Sequence, residues 1–324
     1  MVSCHPLIHR AERNGLKTKR WRLGSIVIFL LVVLTSCRSF ASASPTPVPA
    51  VEPTSLPGTP TPSPDYATRI RNAEYQLGFV DSLRIVQLTD GRFEQGTPGG
   101  EDYASVIVTD FTAHGDLNGD GFDEYAAMIA ENYGGTGVFV FLVVFADVNG
   151  ELVYQTSAFV GDRPQINKLS IISREIFLDA VIQRSDDPMC CPTLRTARHY
   201  RLVNNQLDMT DYVTYTPDGR PRTITIESPA NGTDVFSSVL IKGNVAIAPF
   251  ENNLVYRIYD VGGVELTVGS ITVTAADLGA PGTFEQNILI GNILSDTVVR
   301  IEVQDVSAED GSLFAMDSVE VVVK

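Results

Sequence analysis

The chain has 324 residues, 44% of them hydrophobic, and carries 24 Lys and Arg against 39 Asp and Glu for a formal net charge of −15; that apolar content supports at least two separate cores and argues against a disordered protein. Arg10, Arg13, Lys17, Lys19, Arg20 and Arg22 fall in the first 36 residues with Glu12 as the sole acid, so the remainder holds 18 basic against 38 acidic residues, a net of −20. A surface so acidic repels phosphate, which speaks against nucleic acid and against electrostatic docking on anionic headgroups, and makes cations the more natural partners.

In chain order, the basic stretch ending Lys19-Arg20-Trp21-Arg22 leads into the apolar run Ile26–Leu34, then small residues and Cys37. The run is too short for a membrane span, which needs about 20 residues, and has the layout of a signal peptide over residues 1–36. Leu34-Thr35-Ser36-Cys37 resembles the lipobox of bacterial lipoproteins. That resemblance implies a diacylglyceryl group on the Cys37 thiol, cleavage on its N-terminal side, and a lipid-anchored protein of the cell membrane facing the extracytoplasmic side. Two or more acyl chains, such as palmitate, give stable anchoring where one is marginal. The competing reading is an uncleaved signal anchor with Cys37 idle. Residues 37–65 then form a linker, with prolines at 45, 47, 49, 53, 57, 60, 62 and 64 among Ser, Thr and Ala. Its composition favours extended polyproline II over a packed core and makes it a spacer.

The first folded domain is expected over residues 66–212. Ala67–Leu77 reads as one short helix, and β-prone runs follow at Ser82–Leu88, Ser105–Thr112, Glu124–Glu131, Gly137–Phe145, Glu151–Phe159, Lys168–Ile172, Ile176–Arg184 and Arg195–Val203, punctuated by Gly, Asn and Asp. The fold class is mainly β: an antiparallel β central domain, with α+β as the alternative, followed by a β-sandwich. Asp90-Gly91 and Asn149-Gly150 are the hairpin turns, because both residue types accept positive φ.

The sharpest chemical motif is Asp116-Leu-Asn118-Gly-Asp120-Gly-Phe122-Asp-Glu124. Oxygen side chains at positions one, three and five, Gly at six and a carboxylate at nine can converge on a hard cation, for which calcium is the natural guest. The loop resembles the calcium loops of FG-GAP repeats, which implies ligands from Asp116, Asn118, Asp120 and Glu124 and from the Phe122 carbonyl. A single copy cannot make propeller blades, and the competing reading is an acidic turn whose Asp and Asn side chains cap their own backbone.

Cys190 and Cys191 are adjacent between Pro188 and Pro192. An oxidising exterior favours a vicinal disulfide that pins a turn; a redox switch or a metal site are the alternatives, the latter short of ligands with only His114 and His199 beyond Trp21. Gly134-Gly135-Thr136-Gly137 lacks the Lys and helix of a phosphate loop and reads as a hairpin turn. Gly161-Asp162-Arg163-Pro164 reads as a salt-bridged loop. Taken together, the segment resembles a domain of bacterial envelope lipoproteins that brings no activity with it.

The second folded domain is expected over residues 222–324. It opens with Thr223–Ser228, closes with Asp317–Lys324, and holds strands at Val235–Gly243, Asn253–Asp260, Val264–Thr274, Gly282–Ile290 and Thr297–Val306, the number and spacing of a sandwich. Ile226-Glu-Ser228-Pro229, Gly232 before Val235, Ile241-Lys-Gly243, Phe250-Glu251, the Asp260 to Gly263 turn, Gly282-Thr-Phe284 and Asp305 through Ser312 resemble the immunoglobulin-like domain of bacterial spore germination proteins. That likeness implies a non-catalytic sandwich for presentation or contact, with no germination role attached. The sequence thus points to an envelope-anchored binding or scaffold lipoprotein that engages a protein or polysaccharide. The alternatives are a carbohydrate hydrolase using paired carboxylates, for which no spacing singles out a pair, and a redox or calcium sensor.

Overall fold

The computed structural model describes residues 65–78, 84–291 and 293–324; the signal segment, the lipobox with Cys37 and the proline-rich linker lie outside the described residues. Among the described residues no helix is long and apolar enough to cross a membrane.

Helix α1 (Tyr66–Ile70) starts at Asp65, whose Oδ1 accepts the Thr68 amide at 2.8 Å, a side-chain cap that satisfies one orphan donor. The helix expected over Ala67–Leu77 stops at Ile70, because Ala73, Tyr75 and Leu77 point inward while Glu74 is exposed. That two-residue period belongs to a strand, and β1 (Glu74–Gln76) pairs antiparallel with β2 (Ile85–Gln87). Next come β3 (Arg92–Gln95), β4 (Ala104–Gly115), β5 (Glu124–Asn132), β6 (Phe139–Val148) and β7 (Glu151–Asp162), an antiparallel sheet in that order. Asp90 and Gly91 lie at φ 51° and 78°, Asn149 and Gly150 at 57° and 92°, as tight hairpin turns between right-twisted strands require.

This sheet is covered on both faces, which is why β5 and β6 read as nearly continuous apolar runs instead of alternating ones. Ala127, Ile129, Phe141, Val143 and Phe145 pack against Tyr75, Leu77, Val86 and Leu88 of the N-terminal segment. The intervening Ala126, Met128, Leu142 and Val144 pack against Ile176, Leu178 and Tyr200 of a second sheet. Leu142 and Phe145 are fully buried, each worth about 1.5–3 kcal/mol relative to exposure. The second sheet is the meander β8 (Gln165–Ile172), β9 (Glu175–Ile182), β10 (Leu194–Val203) and β11 (Gln206–Tyr215), with β12 (Pro221–Arg222) folded back on β11.

The C-terminal part is a second sandwich. Its strands are β13 (Ile224–Ser228), β14 (Thr233–Val235), β15 (Ser238–Val245), β16 (Asn253–Asp260), β17 (Glu265–Ala275), β18 (Gly282–Leu289), β19 (Thr297–Val306) and β20 (Leu313–Val323). One sheet runs β13-β15-β18 to the end of β17; the other runs from the start of β17 through β16 and β19 to β20, with β14 parallel to β20. The stretch expected as one strand from Val235 is split, β14 ending at Val235 and β15 starting at Ser238, so that the chain passes from one sheet to the other. Ile241, Leu254, Ile258, Ile271, Val299, Ile301 and Val321 fill the space between the sheets. Gly243 is required by close approach: a Cβ there would lie 2.0 Å from the Thr225 carbonyl oxygen and 2.5 Å from the Phe284 ring.

The two sandwiches share backbone. Strand β11 pairs with β20 through Asp211–Asp317, Tyr212–Met316 and Val213–Ala315, so one hydrogen-bonded path runs from β8 to β13. Arg201–Glu320 at 2.9 Å and Arg300–Asp208 at 3.1 Å bridge the same seam.

Candidate functional site

The loop between β4 and β5 places Asp116, Asn118, Asp120, Phe122 and Glu124 on one tight turn. Its side chains are turned onto its own amides. Asp116 accepts from Gly119 at 2.5 Å and Gly121 at 3.1 Å, Asn118 Oδ1 from Asp120 at 2.8 Å, and Asp120 from Phe122 at 2.8 Å. Glu124 accepts from the Leu117 and Asn118 amides and from Asn118 Nδ2. Phe122 is exposed, and outside the turn Arg174 donates to the Asn118 carbonyl at 2.8 Å while His114 Nδ1 meets Asp123 Oδ2 at 2.6 Å. Burial raises the Glu124 carboxyl above its usual range, against the lowering effect of the Leu117 and Asn118 amides, and the Asp120 and Asp116 charges add to the rise. This excess of negative charge and hard oxygen donors suits a calcium ion chemically. Among the described residues, however, no three His, Cys, Asp or Glu side chains stand together as a ligand cluster, so a cation would have to draw the carboxylates off these amides.

Cys190 and Cys191 are joined as a vicinal disulfide on an exposed loop. Asp187 holds the loop, accepting from the Arg184 and Thr193 amides at 2.9 and 2.7 Å and from the Thr193 hydroxyl at 2.7 Å. Gly134 to Gly137 form the β5–β6 hairpin turn, tied by Asn132. Arg163 pairs with Asp162 at 2.5 Å.

Two polar constellations escaped the sequence reading. The first is Glu131, 1% exposed, which accepts from the Tyr75 hydroxyl, from the Gly78 amide at 2.8 Å and from the Tyr133 hydroxyl at 2.6 Å. A buried carboxylate needs such donors when no cation faces it; burial and then the Glu131 charge push the Tyr75 hydroxyl far above its usual range.

The second lies at the seam. Thr210 has no register partner on β10: Met209 pairs with Tyr200 and Asp211 with His199, a β-bulge. Met209 packs with the first sandwich's core, and the bulge turns Asp211 to the opposite face, since one extra residue reverses the alternation. Across the seam its register partner is Asp317. On β20, Asp317 occupies the phase in which Ala315, Val319, Val321 and Val323 point into the second core, and it accepts from the Ile226 amide at 2.7 Å and the Ser318 amide at 2.8 Å. These two carboxylates, with Glu175, His199, Arg201, Thr210, Arg300 and Glu320, line a cavity of about 340 Å³. Burial, reinforced by the Asp317 charge, pushes the Asp211 carboxyl up to about 6, against the opposing pull of His199. Burial likewise raises Asp317. The sequence signal for Asp317 was present: a carboxylate at the inward phase of an otherwise apolar strand. Asp211 carried none, because the bulge that redirects it has no signature in the residue pattern. His199 lies in the cavity wall, its Nδ1 at 3.3 Å from Glu175.

No curated protein matches the chain. Residues 223–312, spanning β13 to β19 of the second sandwich, match the family of the immunoglobulin-like domain of bacterial spore germination.

Proposed function

We propose that the chain is an exported envelope protein, lipid-anchored through Cys37, that works as a non-catalytic binding or scaffold protein with its immunoglobulin-like domain as the contact module. The observation that carries this reading is the family match over residues 223–312, in a sandwich that continues the sheet of the first domain and so presents its contact surface from a braced support. A patch supports it further. Leu240 and Leu289 stand diagonally on the outer face of β15 and β18, where Leu240 pairs with Asn287 and Leu289 with Ser238, and Phe236 precedes β15 at the same end; the three are 41%, 70% and 67% exposed. Apolar side chains gathered on a polar rim mark contact sites.

Calcium held by Asp116, Asn118, Asp120, Glu124 and the Phe122 carbonyl belongs to this reading as a stabiliser of the first domain. Its support is the concentration of carboxylates on one turn.

The test is a pull-down from envelope extract with the full chain, alongside a Phe236→Ser, Leu289→Ser double variant, each with calcium and with chelator. Recovery of one protein or polysaccharide by the parent and its loss in the variant is the expected result. Equal recovery by both, or none by either, rejects the contact module.

A further inference from the structure

We propose that Cys190 and Cys191 form a thiol–disulfide exchange site that takes two electrons from a thiol reductant. The proposal is independent of whatever the immunoglobulin-like surface contacts. The two Cα atoms lie 3.8 Å apart, as neighbours in a chain must, and that is below the separation usual for a disulfide, which makes such a bridge comparatively reducible. A bridge stabilises a fold by restricting the unfolded chain, and does so more the longer the loop that it closes; between consecutive residues that loop is the smallest there can be. Nor does the turn need the bridge. Asp187 accepts from the Arg184 and Thr193 amides and from the Thr193 hydroxyl. Gln183 Nε2 donates to the Pro188 carbonyl at 2.6 Å, and the Cys191 amide donates to the same oxygen at 2.9 Å. Pro192, just past the bridge, is buried. Both ends of the β9–β10 loop are thus fixed by contacts that contain no sulfur, and opening the bridge leaves them in place.

The sulfurs are also within reach of a second molecule. Pro188, Met189, Cys190 and Cys191 are exposed in succession at the tip of the loop, Met189 to 64%. Strain set by adjacency and exposure to solvent together mark a labile disulfide as against a structural one. The exchange runs in two displacements. A thiolate attacks one cysteine Sγ, the Sγ–Sγ bond breaks, and the other cysteine leaves as a thiolate that takes a proton from water. A second thiolate then attacks the reductant's sulfur in the mixed disulfide and releases the first cysteine, which is protonated in turn. Two external thiols have become one disulfide, and the bridge has become two cysteine thiols.

The experiment incubates the full chain in glutathione buffers of graded reduced-to-oxidised ratio, which structural disulfides resist, and then alkylates the free thiols. Trypsin releases residues 185–195, which separates this pair from Cys4 and Cys37, and mass spectrometry counts the alkyl groups on that peptide. None is expected before reduction and two afterwards, with half-conversion inside the graded series and the melting temperature of the reduced protein within about 2 °C of that of the oxidised form. Cys190→Ser and Cys191→Ser, each verified as folded by circular dichroism, should leave a single thiol in that peptide that takes one glutathionyl group from oxidised glutathione. A bridge that stays closed at the most reducing ratio, free thiols at this pair in the protein as isolated, a larger fall in melting temperature on reduction, or no glutathionylation of either variant overturns the proposal.

Discussion

Replacing Asp211 with Asn should make the protein more stable, the reverse of the usual outcome at a half-buried position. The folded state pushes the Asp211 carboxyl from the ordinary 3.8 up to about 6, through burial first and the Asp317 charge second, with Glu175 adding and His199 opposing. At about 1.36 kcal/mol per unit, ionising it in the fold costs at most about 3 kcal/mol, and screening by water in the cavity leaves an expected gain of about 1–3 kcal/mol for the neutral amide. The sign is fixed by linkage: a carboxyl raised in the folded state contributes nothing below its unfolded value, and its cost grows as pH rises to about 6, above which it is fully present. The gain should therefore appear at about pH 7.5 and vanish near pH 3.5. Because the only Trp is Trp21, urea unfolding is best followed by far-ultraviolet circular dichroism and tyrosine fluorescence. A variant no more stable than the parent at neutral pH, or equally stabilised at both pH values, would refute the unpaired-carboxylate argument.

Three further outcomes are expected. Gly243→Ala should displace β13 from β15, since the added methyl meets the Thr225 carbonyl oxygen; loss of hydrogen-exchange protection at the Thr225 and Asn244 amides, which face one another across the two strands, would show it, and intact protection would contradict it. Tyr75→Phe deprives buried Glu131 of one of its three donors and should cost about 1–3 kcal/mol in urea unfolding, whereas a neutral effect would mean that the carboxylate is not held as described. Calcium, if bound by the Asp116 loop, should raise the melting temperature of the parent but not of a Asp120→Asn, Glu124→Gln variant; a flat titration of the parent ends the calcium proposal.

Sequence alone determined where most of the strands lie along the chain, and it did so where side-chain period and turn chemistry act locally. Alternation located β16 and β19 to the residue, Asn-Gly and Asp-Gly located tight turns, and the residues from Ile226 to Ser312 carried the likeness that the family match supports. The helix at Ala67 ran too long because its propensities say nothing of the sheet face waiting for Tyr75 and Leu77. Strands β1, β3 and β11 were not anticipated: β1 and β3 are short, and the alternation of β11 is broken by a bulge. At the acidic loop, composition named the residues, but only the tertiary structure decided where their oxygens point, since each amide within reach competes for them. The seam was beyond sequence reading altogether. Asp211 and Asp317 lie 106 positions apart, counted from their numbers, and face one another only because β11 and β20 pair across two sandwiches; a partner chosen by long-range strand pairing leaves no trace in either strand's own pattern.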